Sequence, residues 1–240
     1  MRTRYLKKIQ PTEGSVMAKR NGFSELAKLL VRYPTQGQRE KLKQLLLEKY
    51  TQENLIVYLT HEVAPTREAA AYALGIIGDT EAITPLVEAL QHNDPDLRSN
   101  AEQALWAIWF RSGDKSVDQM LQKGAEHIKK EQFVEAIDLL TEVTQIAPEF
   151  AEGYNQRAIA YFMLEEWEQS VDDCKKVVTL NPVHFGAFAG MGQCYLRLGN
   201  LREALEAFQR ALEIHPGLYG VAHTVLQIQE ALQEQQRRRR

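Results

Sequence analysis

Three prolines, Pro148, Pro182 and Pro216, stand 34 residues apart, and a chain that repeats on such an interval has few folds open to it. Setting the three copies in register aligns small residues at Gly124, Ala158 and Gly192, and again at Ala136, Ser170 and Ala204. Bulky residues align at Met120, Tyr154 and Phe188, at His127, Tyr161 and Tyr195, and at Phe133, Trp167 and Leu201. Leu140, Cys174 and Phe208 form another column, as do Val143, Val177 and Ala211. The register holds without a gap. It predicts a first helix of about 14 residues, a short turn and a second helix closed by proline, which cannot continue it. The small columns let the two helices approach closely. One hairpin cannot bury its own apolar face, so neighbours must stack to complete the core.

Residues 117–218 resemble tetratricopeptide repeats, in phrases such as Phe133-Val-Glu-Ala-Ile137 and Leu201-Arg-Glu-Ala-Leu205. The units fall at 117–150, 151–184 and 185–218 within a region 113–218. One departure is visible: Lys123, Arg157 and Met191 stand where the family usually has Leu. Residues 219–240 read as a capping helix, with Val221, Val225, Leu226, Ile228 and Leu232 toward the array, followed by the Arg-rich tail Arg237–Arg240.

Upstream, residues 21–112 repeat at about 31 residues instead. Arg67-Glu-Ala-Ala-Ala-Tyr-Ala-Leu74 aligns with Arg98-Ser-Asn-Ala-Glu-Gln-Ala-Leu105, and Thr80–Leu90 lies between them as a second helix. Asp79 or Thr80 is placed to cap that helix, and Asn93-Asp-Pro95 opens the next. Gln38–Glu48 and Gln52–Glu62 have helical apolar spacing, and 23–33 reads as a terminal helix before Pro34. The phrase Ala73-Leu-Gly-Ile-Ile-Gly-Asp79 resembles HEAT-like repeats of the phycobilisome-lyase type. The fold expected is therefore all-α: a right-handed superhelical solenoid of antiparallel helix pairs, HEAT-like first, then three tetratricopeptide units and a cap. The helix from Pro95 ends in Ala104-Leu-Trp-Ala-Ile-Trp-Phe110, apolar nearly all round and hence buried. It is expected to pack on the first tetratricopeptide helix across Arg111–Asp114, with Trp106 and Trp109 as interdomain core rather than a ligand box. A hinge at Gly113 is the competing reading.

Charge is uneven. Residues 1–20 carry about +5 and the four terminal arginines +4, so the body between holds about −12 of the net −3. An acidic body with basic ends argues against specific nucleic-acid binding, and 1–20 reads as a disordered arm. Whether Met17 is the true start is left open. No run of about 18 apolar residues exists to span a bilayer. Two cysteines, Cys174 and Cys194, both within expected helices, fit reduced thiols in the cytosol or an organelle stroma.

The residues suggest no reaction. There is no Gly-x-Ser-x-Gly elbow, phosphate loop or zinc-binding spacing, so no cofactor, metal ligand or catalytic residue is expected. Gly190-x-Gly192 sits inside a helix, where it serves packing. Asp172-Asp173 and Glu165-Glu166 are read as water-facing acids, His127 as a core-column residue, and His184 and His215 as structural turn residues.

The resemblance implies that first helices line a concave face. That face would present Asp118, Leu121, Gln122, Ala125, Ile128 and Lys129 from the first unit. Glu152, Asn155, Gln156, Ile159, Phe162 and Met163 follow from the second, then Gly186, Ala189, Gly190, Gln193, Leu196 and Arg197 from the third. The candidate peptide-binding groove is Leu121, Ile128, Lys129, Asn155, Gln156, Ile159, Phe162, Met163, Gln193, Leu196 and Arg197. Chaperone-docking members clamp a carboxylate with Lys, Asn and Arg. The matching positions here are Leu121, Ala125, Gln156, Gly186 and Gly190, so no clamp is expected. The function implied is a non-catalytic scaffold, adaptor or assembly factor that holds a peptide or helix. The alternatives are a bilin-lyase-like, chromophore-handling assembly protein and a self-associating repeat protein. The groove's apolar side chains serve either a partner or the chain's own packing.

Overall fold

The computed structural model describes residues 25–30, 32 and 36–238. The expected arm 1–20 and the last two arginines lie outside them, as does part of the helix expected at 23–33. Every regular element among the described residues is helical. After a helical segment at 25–30 come α1 (Arg39–Lys49), α2 (Gln52–Tyr58), α3 (Ala64–Ile77), α4 (Ile83–Leu90) and α5 (Pro95–Trp109). The repeat units supply α6 (Lys115–Lys129), α7 (Phe133–Ile146), α8 (Ala151–Met163), α9 (Trp167–Leu180), α10 (Phe185–Arg197) and α11 (Leu201–Ile214). The last helix is α12 (Tyr219–Arg238).

Local chemistry sets the N-terminal boundaries. The Asp94 carboxylate accepts from the backbone N–H groups of Asp96 and Leu97, and Pro95 follows in the first turn of α5. Asp79 likewise accepts from the Glu81 N–H, opening a 3-10 turn at Thr80–Ala82 ahead of α4. Helix α2 stops at Tyr58, four residues before the expected end, and the chain turns to an extended Val63 that leads into α3, which carries Pro65 in its first turn. Helix α3 is buried over most of its surface, with Tyr72 exposed. Ala69, Ala70, Ala71 and Ala73 are buried, and a side chain at Gly75 would meet the Ala104 Cα at 2.9 Å. Only a residue without a Cβ lets α3 and α5 cross that closely.

In the repeat region the aligned columns become the core. Leu140, Phe208, Val143, Val177 and Ala211 are wholly buried. A side chain at Gly124 would strike Leu140, and one at Gly192 would strike the Phe208 ring, each at 2.7 Å. The small column therefore exists because a large side chain stands opposite in the same hairpin. Val225 and Ile228 of α12 are buried in a cluster with Ala204 and Phe208, as a capping helix requires.

The path of α5 departs from expectation. It packs on α3 and α4, yet its aromatic end does not stack along α6. Trp106 and Trp109 cross to the start of α10 in the third unit, where Phe185 lies 5.6 and 5.3 Å from their ring centroids. Phe185 and Ile214 consequently join the hydrophobic core of the N-terminal half. Only Phe110 remains with the first unit's cluster. Shape decides the destination: any side chain at Gly186 would lie 2.6 Å from the Trp106 ring, so this glycine makes the seat. The linker is structured rather than free. Gly113 takes φ +90°, Ser112 donates to Asp118 Oδ1 through both its backbone N–H and its hydroxyl, and the Asp114 carboxylate caps α6. Arg111 donates to the Gly75 and Gly78 carbonyls at 2.9 and 2.5 Å, which anchors the linker to the end of α3.

Candidate functional site

The residues expected to line the groove fall into three groups. Leu121 is wholly buried in the first hairpin and offers no free surface, and Ile128 packs half-buried against the same cluster. Lys129 is exposed at the far end of α6. Asn155 and Gln156 are also buried. They donate to one Glu152 oxygen at 2.9 and 2.7 Å and are committed inside the fold. The third group forms a surface. Ile159 and Met163 are 39% and 50% exposed on α8. Phe162 stands edge-on to Trp167 at 4.9 Å, and the Arg197 guanidinium lies 5.8 Å from the same Trp167 ring. Leu196 is half-buried and Gln193 exposed beside them on α10.

Between α8 and α10 this surface opens into an almost wholly apolar cavity of about 180 Å³. Ile159, Phe162 and Asn155 form one wall, while Gly186, Gly190 and Gln193 form the other. Ser170 and Cys174 of α9, with Ala158, close the floor. Trp106 from the N-terminal half borders it too. Reading Trp106 purely as core missed this, because only the fold brings it within reach of residues 49 to 87 positions later. The floor is chemically quiet. The Ser170 hydroxyl donates to the Ala158 carbonyl at 2.8 Å and accepts from the Cys194 thiol. Burial pushes both cysteine thiols up from their ordinary value and keeps them protonated.

Below the groove lies a polar cluster that the sequence did not reveal. Glu152 Oε2 lies 3.2 Å from His184 Nε2, both side chains being fully buried. His184 Nδ1 accepts from the Ala187 backbone N–H, capping α10, which leaves Nε2 to donate to Glu152. Trp109 stacks on the His184 ring at 4.3 Å and 21°. The two partners are 32 residues apart, close to one period. Near-period spacing places residues at neighbouring helix starts, and that was the available signal. A second seam lies alongside: His215 Nε2 is 3.1 Å from Glu102 of α5, and this bond holds the Glu102 carboxyl below the usual carboxylate range. Gln91 donates to the Glu213 and Ile214 carbonyls at 3.0 and 2.9 Å, satisfying the end of α11 from the other half of the chain.

Asp173 also corrects the sequence reading. It is buried, not water-facing, and pairs in fork geometry with Arg157, whose Nε and Nη2 donate at 2.8 and 2.7 Å. Arg157 Nη1 donates to the Thr141 and Thr144 hydroxyls. The side chain that departs from the family pattern thus joins two repeats. Asp173→Ala is expected to lower unfolding free energy by about 2 kcal/mol, since it strands a mostly buried guanidinium. Urea unfolding measures this, and no change would mean that solvent screens the pair.

Glu68, Asp94 and Asp96 place carboxylate oxygens within 4.8 Å of one another. Asp94 is already spent on its helix cap and on Arg67 at 3.1 Å. Among the described residues no helix is long and apolar enough to cross a membrane.

Two family models match parts of the chain. Residues 27–106 match the model for HEAT repeats, and residues 186–218 match that for the tetratricopeptide repeat. A TPR repeat-containing protein of Rhizobium etli is 30% identical over 126 residues, 52% of this chain and 62% of its own length. The DnaJ homolog subfamily C member 7 homolog of Dictyostelium discoideum is 27% identical over 197 residues, 77% of this chain but 35% of that protein. The chain thus spans under two thirds of either relative. Among solved structures, the first TPR of Spaghetti (RPAP3) bound to HSP90 peptide SRMEEVD aligns over 48% of this chain and 92% of its own. The identity is 28% and the TM-score 0.47.

Proposed function

We propose that this chain of HEAT and tetratricopeptide repeats is a non-catalytic adaptor or assembly factor whose concave face holds a segment of another protein. The carrying observation is the exposed pair Ile159 and Met163 beside an open apolar cavity, on a face that α5 covers only in part. Exposed apolar side chains next to unfilled apolar volume are a standing gain for any chain that covers them. The working residues in this reading are Ile159, Phe162, Met163, Gln193, Leu196 and Arg197. Leu121, Asn155 and Gln156 drop out, being committed to the fold.

The occupant is an apolar-anchored segment. A Spaghetti domain is bound to the acidic HSP90 peptide SRMEEVD, but Ala125, Gly186 and Gly190 here supply no cation to grip such a peptide. Arg197 stands beside the apolar strip, over the Trp167 ring, and serves a rim contact. The bilin-handling alternative finds no support, since the N-terminal match is to HEAT repeats in general.

Phe162→Glu with Met163→Glu is expected to abolish partner capture, measured by affinity isolation with mass spectrometry, while circular dichroism stays unchanged. Recovery of the same partners with a folded double variant would overturn the groove. Calorimetric titration with the peptide SRMEEVD is expected to give no heat of binding.

A further inference from the structure

Resting on that reading, we propose that the cavity between α8 and α10 is a socket for one aromatic side chain of the partner, with Trp106 as part of its wall. Volume comes first. The cavity measures about 180 Å³, and an apolar protein cavity of about 150 Å³ already takes up a benzene ring. One ring fills it, and a second does not fit.

The wall chemistry then selects what enters. No polar group in the floor is free to greet a charged or hydrogen-bonding tip. The Ser170 hydroxyl is engaged by Ala158 and Cys194, and in the wall the Asn155 N–H₂ donates to Glu152. Cys174 is held neutral by its burial. A charged group entering here loses its water and gains nothing. Phe162 and Trp106 contribute aromatic rings to the lining and Cys174 contributes sulfur, and both favour an entering ring over an aliphatic chain of equal size.

The room exists because of one residue. A Cβ built on Gly190 would sit 3.6 Å from Cys174 Sγ, an ordinary contact. The fold therefore tolerates a side chain at 190, and its absence is what keeps the socket empty. The adjacent Gly186 is different, being needed to seat Trp106.

The test uses the full chain and blocked amino acids as probes: N-acetyl-phenylalaninamide, N-acetyl-leucinamide and N-acetyl-lysinamide, followed by two-dimensional NMR. The phenylalanine probe is expected to give saturable shifts at the Ser170, Cys174 and Gly190 amides. It should bind about tenfold more tightly than the leucine probe, given an added edge-to-face contact, while the lysine probe gives no shift. Gly190→Leu should abolish the shifts without lowering the melting temperature, and Gly190→Ala should weaken them. Absence of saturation, persistence of the shifts in Gly190→Leu, or equal binding of the leucine or lysine probe would overturn the socket. If the phenylalanine probe fails while the Phe162→Glu, Met163→Glu variant still loses partners, the socket falls and the adaptor reading stands. If it binds while that variant keeps its partners, the socket stands and the adaptor reading falls.

Discussion

Trp109→Ala is expected to lower the unfolding free energy by about 4 kcal/mol, as deletion of a buried aromatic does. Few residues carry so much of the contact between the two halves. Trp109 is 6% exposed, stacks on His184 at 4.3 Å, and meets Trp106 edge-on at 5.2 Å. Its removal opens a void where the core of the N-terminal half reaches the third repeat unit. Solenoid stability is a sum of unit and interface terms, so a weakened interface should also divide one cooperative transition into two. Denaturant unfolding followed by far-ultraviolet circular dichroism reads both effects. A single transition shifted by less than about 1 kcal/mol would show that the stack does not couple the halves. Trp109→Phe supplies the control. The indole N–H is buried and finds no hydrogen-bond acceptor among the described residues, so phenylalanine keeps most of the ring contact and removes that unpaired donor. It should cost much less than alanine.

The second large effect is expected at Glu152. One carboxylate, 1% exposed, accepts from the Asn155 and Gln156 amides and from the His184 imidazole. Glu152→Ala leaves three buried donors without their acceptor. An unsatisfied buried group costs about 1–3 kcal/mol, while removal of the buried charge recovers part of its desolvation. The expected net loss is about 3 kcal/mol, read by urea unfolding. Glu152→Gln should lose less, because its carbonyl oxygen still accepts although its N–H₂ now faces a donor. Equal losses for the two variants would argue that the negative charge itself holds the cluster. Because His184 caps α10 and lies under Trp109, Glu152→Ala is also expected to change the near-ultraviolet signal of the tryptophans.

Most of the fold was legible in the chain. The 34-residue register placed the three hairpins, and the columns at Gly124, Ala158 and Gly192 marked where helices meet closely. Asp79 and Asp94 announced helix starts that the structure retains. Those features are local: a cap acts within three residues, and a hairpin pairs residues about 16 apart, as Gly192 and Phe208 do. Candidate site residues were legible only in part. Family positions named Ile159, Phe162, Met163, Gln193, Leu196 and Arg197 on the concave side, yet the same positions included Leu121, Asn155 and Gln156, which are buried. Position along a repeat gives the face of a helix but not what lies across from it. Asp173 shows the same limit, since its acidic type suggested water, yet it is buried and paired with Arg157 on the facing helix of its own hairpin.

From its residues alone this protein was bound to be an array of paired helices, because period, small-residue columns and caps act between near neighbours. The route of α5 was decided elsewhere. It follows from the empty space over Gly186, the flat face of His184 and the carbonyls at the end of α11, which meet Trp106, Trp109 and Gln91 only once both halves are folded. Contacts between residues 75 to 123 positions apart depend on matched shape, and matched shape leaves no period in a sequence.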